Sequence, residues 1–390
     1  DALDVVKPGD IIEIESGDYY EDIHTTVHGL PDERITVRGA GGSSNRENVV
    51  LRGAGGFRVF QIHHDYYTIE NFTIDGENLE VEANDDNYAT AIRDKTLYVI
   101  GEDEPTMRDG GYRSAVDGLI IRFMTIKNAG GECIRLRYFV TYAEIYENDL
   151  ETCGIYDWKY KDGGDDGKNG EGIYIGTSSK QWGDNKNPSD EPDVCFRNII
   201  RDNNIDTKGS EGVEVKEGSV DNTIEGNTIT MQKDKDSGGI GSRGDGTIIR
   251  YNHIEDAAGA GVRLGGHTVG GVVYGLDNQV YGNTMVDCLS YGVKVMTWPQ
   301  GQICDNDIQL PDGKNDDDYA YTGGTYANNF NPMEECTSSP TPSNPSPAPT
   351  PRSNQTPSPE TSRTPAPSIN STSSPPTPSP EPPRTPTPST

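Results

Sequence analysis

The chain has 390 residues, with 63 acidic against 33 basic side chains and a net charge of −30, which repels nucleic acid and anionic membranes at long range. It contains no apolar run long enough to span a bilayer and begins at Asp1, so it reads as a processed, secreted, soluble protein without membrane insertion. Most of the 26 prolines follow residue 336, which leaves the acidity and any packed core to residues 1–336.

In chain order, "ITVRGAGG" at 35, "VVLRGAGG" at 49 and "YYTIENFTIDG" at 66 read as short strands broken by tight turns. From residue 133 two patterns recur. A small residue followed by alternating apolar residues appears as "CIRL" at 133, "GIYI" at 172, "GVEV" at 212, "GIGS" at 239, "GVRL" at 261 and "GVKV" at 292. Asn-x-apolar appears at 148, 203, 227, 252, 283 and 306. Steps of roughly 22 to 31 residues separate most copies, the mark of a solenoid whose coils stack. Helical periodicity is weak throughout. The predicted fold is all-β, a right-handed parallel β-helix over residues 1–336, with the asparagines stacked in amide ladders.

The long interval between Asn148 and Asn203 contains "KYKDGGDDGKNGE" and "SSKQWGDNKNPSDEPD", which read as loops leaving the coil. Their acidic spacing does not match an EF-hand, so a solvated loop and a calcium loop both remain open. Cys133, Cys153, Cys195, Cys288, Cys304 and Cys336 show no CxxC spacing. That argues for disulfides over zinc, with fifteen pairings available. Sequons at Asn71, Asn354 and Asn370 fit the same oxidising route and covalent N-glycans.

Side chains alternate in and out of a coil, so the repeated strands align their outward residues in columns. One column reads Arg135, Tyr174, Glu214, Gly241, Arg263, Lys294, and another reads Arg137, Gly176, Lys216, Arg243, Gly265, Met296. Lys216 and Arg243 then sit one strand spacing apart, about 4.8 Å, where like charge is expected to lower the lysine pKa and make it a base. The bland alternative is a solvated charge ladder, with His267 a turn residue.

The order "EGVEVKEGSVDNTIEGNTI", "GIGSRGDGTIIRYNHI", "GVRLGGH" resembles the central coils of polysaccharide lyase family 6, which includes chondroitinase B and alginate lyases. The resemblance implies Lys216 as the base that removes the proton beside a uronate carboxylate, Arg243 as its assistant and Glu211 as a Ca2+ ligand. Where the family pattern has a second acid, this chain has Gly209. A polyanionic substrate is opposed by the net charge of the chain. A groove lined by Arg135, Arg137, Lys216, Arg243, Arg263 and Lys294, with Tyr174 and Glu214, supplies a local field of the other sign.

Residues 337–390 alternate Pro with Ser and Thr, favouring an extended polyproline II chain of up to about 165 Å. The tract resembles mucin-like stalks and hydroxyproline-rich wall glycoproteins, which implies dense O-linked glycans. Three readings of function follow. The first is an extracellular structural glycoprotein whose β-helix heads and glycosylated tails self-associate into surface or matrix fibres. The second is a secreted, calcium-assisted polysaccharide lyase acting by β-elimination. The third is a β-helix that binds a polysaccharide without turnover, using its tyrosines as sugar platforms.

Overall fold

The structure, a computed structural model, describes residues 2–161, 169–323 and 330–337. Asn354, Asn370 and nearly all of the Pro-rich tail lie outside the described residues, as does the middle of the 159–171 loop.

Short strands with inward β-branched side chains assemble into three ten-stranded parallel sheets. The first runs from Ile11–Ile14 to Ile303–Cys304, the second from Gly17–Tyr19 to Asp307–Gln309, and the third from Ile23–His24 to Ala320–Thr322. Each strand pairs with its counterparts one coil earlier and one coil later. Val213–Val215, for instance, lies between the strand Ile173–Ile175 and the strand Gly238–Ser242. The chain is therefore the parallel β-helix that the repeat predicts.

The turn from first to second sheet explains the asparagine pattern. One residue adopts the left-handed region, namely Glu147, Asp202, Gly226, Tyr251, Gly282 or Asp305, and the next is Asn148, Asn203, Asn227, Asn252, Asn283 or Asn306. Each of the first five asparagines donates through Nδ2 to Oδ1 of the next, at 2.9 to 3.0 Å. The same Oδ1 atoms accept the backbone N–H of the asparagine one coil earlier. A left-handed side-chain-bearing residue costs roughly 1–2 kcal/mol, and the ladder of buried, satisfied amides offsets that cost. A second ladder, not anticipated from the sequence, links Asn198 to Asn222 and Asn278 to Gln300 at the turn from third to first sheet.

Inside the coil, Ile121, Ile145, Ile200, Ile224, Ile249 and Val280 stack in register with no exposure. Each contributes roughly 1.5–3 kcal/mol by burial. The cysteines divide. Cys133 pairs with Cys153 and Cys304 with Cys336, whereas Cys195 and Cys288, expected among the disulfide candidates, are free. Both are buried at separate places in the core, and each thiol is near a backbone carbonyl. Asn71 occupies a left-handed turn position and is half-buried. Among the described residues no helix is long and apolar enough to cross a membrane.

Candidate active site

The third sheet carries the charged columns. Its inward positions are apolar and fully buried, among them Ile134, Leu136, Ile173, Ile175, Val213, Val215, Ile240, Val262 and Leu264. The residues between them must face outward. Strand register places Tyr98, Arg135, Tyr174, Glu214, Gly241, Arg263 and Lys294 in one column, in the order read from the repeat. Backbone bonds from Gly176 to Leu136, Lys216 to Ile175, Arg243 to Val215, Gly265 to Ser242 and Met296 to Leu264 carry the same register into the second column.

A third column escaped the sequence reading. Glu132, Glu171 and Glu211 stand two residues before the repeated strands, with Cys133 N–H donating to the Glu171 carbonyl and Gly172 N–H to that of Glu211. The signal was present as "ECI" at 132, "EGI" at 171 and "EGV" at 211. Of the three, the sequence resemblance points to Glu211 alone.

The outward row is not a solvated ladder. Glu214 is 0% exposed, Glu211 2%, Glu171 4% and Lys216 5%. Lys216 Nζ lies 3.0 Å from Glu214 Oε1, 3.9 Å from Glu171 Oε1 and 4.5 Å from the Tyr174 ring centroid. On the other side of that ring, in the column order, the Arg135 guanidinium stacks at 3.5 Å. Arg243 Nε is 3.2 Å from Glu214 Oε1. Glu217 accepts the Ser179 N–H at 3.1 Å and faces Arg243 at 3.4 Å and His267 Nδ1 at 3.6 Å.

These contacts reverse the expectation of a lowered lysine pKa. Burial does disfavour the Lys216 ammonium, but Glu214, Tyr174 and Glu171 outweigh both burial and Arg243 and hold it above the usual lysine range. Lys216 therefore keeps its proton at rest. The carboxyls separate. Burial pushes Glu171 up to about 8 against the pull of Lys216, with Glu132 and Glu211 adding to the rise. Burial also raises Glu214, opposed by Lys216. Burial opposes ionisation of Glu211 too, yet Lys216 and the Ser210 and Ser237 hydroxyls lower it. Lys95 and Arg135 likewise hold Glu132 ionised despite its burial. The Tyr174 phenol is raised by burial, while Lys216 and Arg135 pull it down.

A cleft of about 430 Å³ opens beside this cluster. Its floor includes Arg58, Lys95, Tyr98, Glu132, Arg135 and Arg137, and its walls include Tyr88, Tyr156, Gln181 and Lys186. The lining thus includes Arg135 and Arg137 from the predicted groove but not Tyr174, Glu214, Lys216, Arg243, Arg263 or Lys294. Lys294 instead donates to the Asp236 carbonyl, and burial with Arg263 nearby lowers its pKa. Arg137 is held by Asn187 at 2.6 Å.

Calcium does not fit Glu211 as arranged. Its carboxylate is taken up by the two serine hydroxyls, and Gly209 offers no second acid. Among the described residues no group of three or more His, Cys, Asp or Glu is placed to hold a metal ion.

The sequence matches the family described as "Right handed beta helix region" over residues 153–330. Among solved structures the chain is similar to an alginate lyase from Paenibacillus sp. str. FPU-7, at 18% identity and a TM-score of 0.57, covering 82% of this chain and 95% of that one. It is also similar to the catalytic unit of a GH87 α-1,3-glucanase from Streptomyces thermodiastaticus strain HF3-3, at 16% identity and a TM-score of 0.50. That alignment covers 77% of this chain and 48% of the glucanase unit, so the chain spans about half of that length. No curated protein sequence matches. At these identities the likeness is one of fold, a right-handed parallel β-helix that polysaccharide lyases and glycoside hydrolases share.

Proposed function

We propose that the protein is a secreted polysaccharide lyase that cleaves an acidic, uronate-bearing glycan by β-elimination at the third sheet. The observation that supports this most is the placing of Lys216 and Arg135 on the Tyr174 ring, with Arg243 close by. β-Elimination needs positive charge on the uronate carboxylate to acidify the neighbouring C–H, a group to take that proton, and a donor for the departing glycosidic oxygen. Arg135 and Arg243 supply the charge, since both keep their protons at any physiological pH. Tyr174 takes the proton as its phenolate: burial raises the phenol on balance, and the two cations beside it lower the cost of ionising it. The phenolate becomes a phenol, and the Lys216 ammonium gives its own proton to the leaving oxygen.

The fold shared with an alginate lyase supports this reading over the fibre-forming glycoprotein, which rests on a tail outside the described residues. Two disulfides fit an oxidising, extracellular setting. The local balance of charge is opposite to that of the whole chain: Arg58, Lys95, Arg135, Arg137 and Lys186 line the cleft against Asp94, Glu132 and Asp157.

One observation favours a second reading, glycoside hydrolysis. A protonated Glu171 beside an ionised Glu211 is the division of labour that an acid and a carboxylate partner need. The deciding experiment is incubation with alginate, pectate and dermatan sulfate. Products with unsaturated, ultraviolet-absorbing ends, lost in Lys216→Ala, are expected. New reducing ends without unsaturation would establish the hydrolase, and binding without turnover would establish a carbohydrate-binding protein.

A further inference from the structure

We infer that the cleft receives the end of an acidic glycan chain rather than its middle, so that cleavage releases short products; the inference rests on the proposed cleavage at this site. The floor crosses three adjacent strands, from Arg58 through Lys95 to the strand of Arg135, about 10 Å at parallel-strand spacing. At its far end Arg135 is 3% exposed and its Nε and Nη2 have no hydrogen-bond partner. Arg135 lines the cleft, and a carboxylate bound there is a ligand able to satisfy such donors.

Beyond Arg135 the outward row passes under cover. The segment after the strand Ile173–Ile175 folds back, so that Ser179 donates to Glu217 and Trp182 packs edge-on against Tyr274 at 5.9 Å. Tyr274 belongs to the hairpin His267–Val269 and Val272–Tyr274, whose His267 also faces Glu217. Glu217 and the Trp182–Tyr274 contact thus join two excursions next to Lys216, which with Glu214 and Glu217 is withdrawn from water. A glycan lying along the floor therefore ends against Tyr174. Its terminal sugar stops with the carboxylate at Arg135, and the scissile bond is the one that joins this sugar to its neighbour on the floor.

The test compares bond cleavage with viscosity on polymeric alginate and pectate. Short unsaturated products from the outset, with viscosity falling slowly relative to bonds cut, are expected. Early collapse of viscosity with a broad ladder of long products would overturn the inference while leaving the lyase reading intact. In Trp182→Ala/Tyr274→Ala, product length is expected to shift upward. If no polymer is cleaved, the function reading falls, and calorimetric titration with oligomannuronates and oligogalacturonates of defined length decides the inference alone. One protein per chain at every length supports end-binding. A number of bound proteins that grows with chain length, or no binding at all, overturns it.

Discussion

Lys216 Nζ donates to Glu214 Oε1 across 3.0 Å, two residues apart on one strand, with both side chains withdrawn from water. The pair ties the proposed acid to a carboxyl that burial has already pushed up. Lys216→Ala is expected to lower turnover by about 10²–10⁴-fold. It should also cost about 3 kcal/mol by denaturant unfolding, at the low end for a broken buried pair because Glu214 can take up a proton. Unchanged turnover would remove Lys216 from the chemistry.

Glu171 makes the site pH-sensitive. Its folded pKa, about 8, lies above the ordinary carboxyl value, so the folded state holds a proton that the unfolded chain has released. That contribution to stability is complete below the unfolded pKa and fades as pH rises through about 8. Activity is expected to fall over the same limb, since deprotonation sets a negative charge beside the substrate carboxylate. Glu171→Gln should keep activity and abolish the limb. An inactive Glu171→Gln would instead favour Glu171 as the acid of a hydrolase.

The Cys133–Cys153 disulfide closes a separation of 20 residues and sits between Glu132 and the strand that carries Arg135. The paired Cys133→Ser/Cys153→Ser variant is expected to lose about 3 kcal/mol on the loop-closure estimate. Native protein should meanwhile leave Cys195 and Cys288 unlabelled by a thiol reagent, because both are buried and burial raises both thiols. Rapid labelling of either in the folded state would contradict the core described here.

Asn227 stands in mid-ladder, accepting from Asn203 and donating to Asn252. Asn227→Ala orphans buried partners on both neighbouring coils, and a loss of about 1–3 kcal/mol is expected. Thermal unfolding that matched the parent would show that the ladder follows the fold without stabilising it.

Gly241 leaves the room that the Glu214 carboxylate occupies, since a methyl group there would collide with Glu214 Oε2. Gly241→Ala is expected to turn Glu214 away from Lys216 and Arg243 and to cost about 1–3 kcal/mol by overpacking. Kinetics should show a lower turnover number at nearly constant KM, because the cleft floor around Arg135 is untouched. A raised KM alone would place Gly241 in substrate binding.

The coil, its register and the neighbours of each outward residue were legible in the sequence. Inward valines and isoleucines recur at a step that only stacked rungs satisfy, and the Asn turns repeat with them. Arg135 beside Tyr174, Tyr174 beside Glu214 and the six-membered asparagine ladder followed from counting. Glu132 and Glu171 were equally countable, two residues before each repeated strand. The disulfide pairing was not, because cysteines 20 and 32 residues apart meet through turns whose direction spacing does not specify.

What only the tertiary structure decided is the environment of the charges. A strand pattern shows which way a side chain points, not whether water lies there. The excursions carrying Trp182 and Tyr274 come from non-repeating segments that meet each other, and Lys216, two residues from Glu214, is withdrawn from water. Burial by itself disfavours the ammonium; the reversal of its expected pKa shift comes from Glu214, Tyr174 and Glu171, whose attraction outweighs burial and Arg243 once solvent no longer screens it.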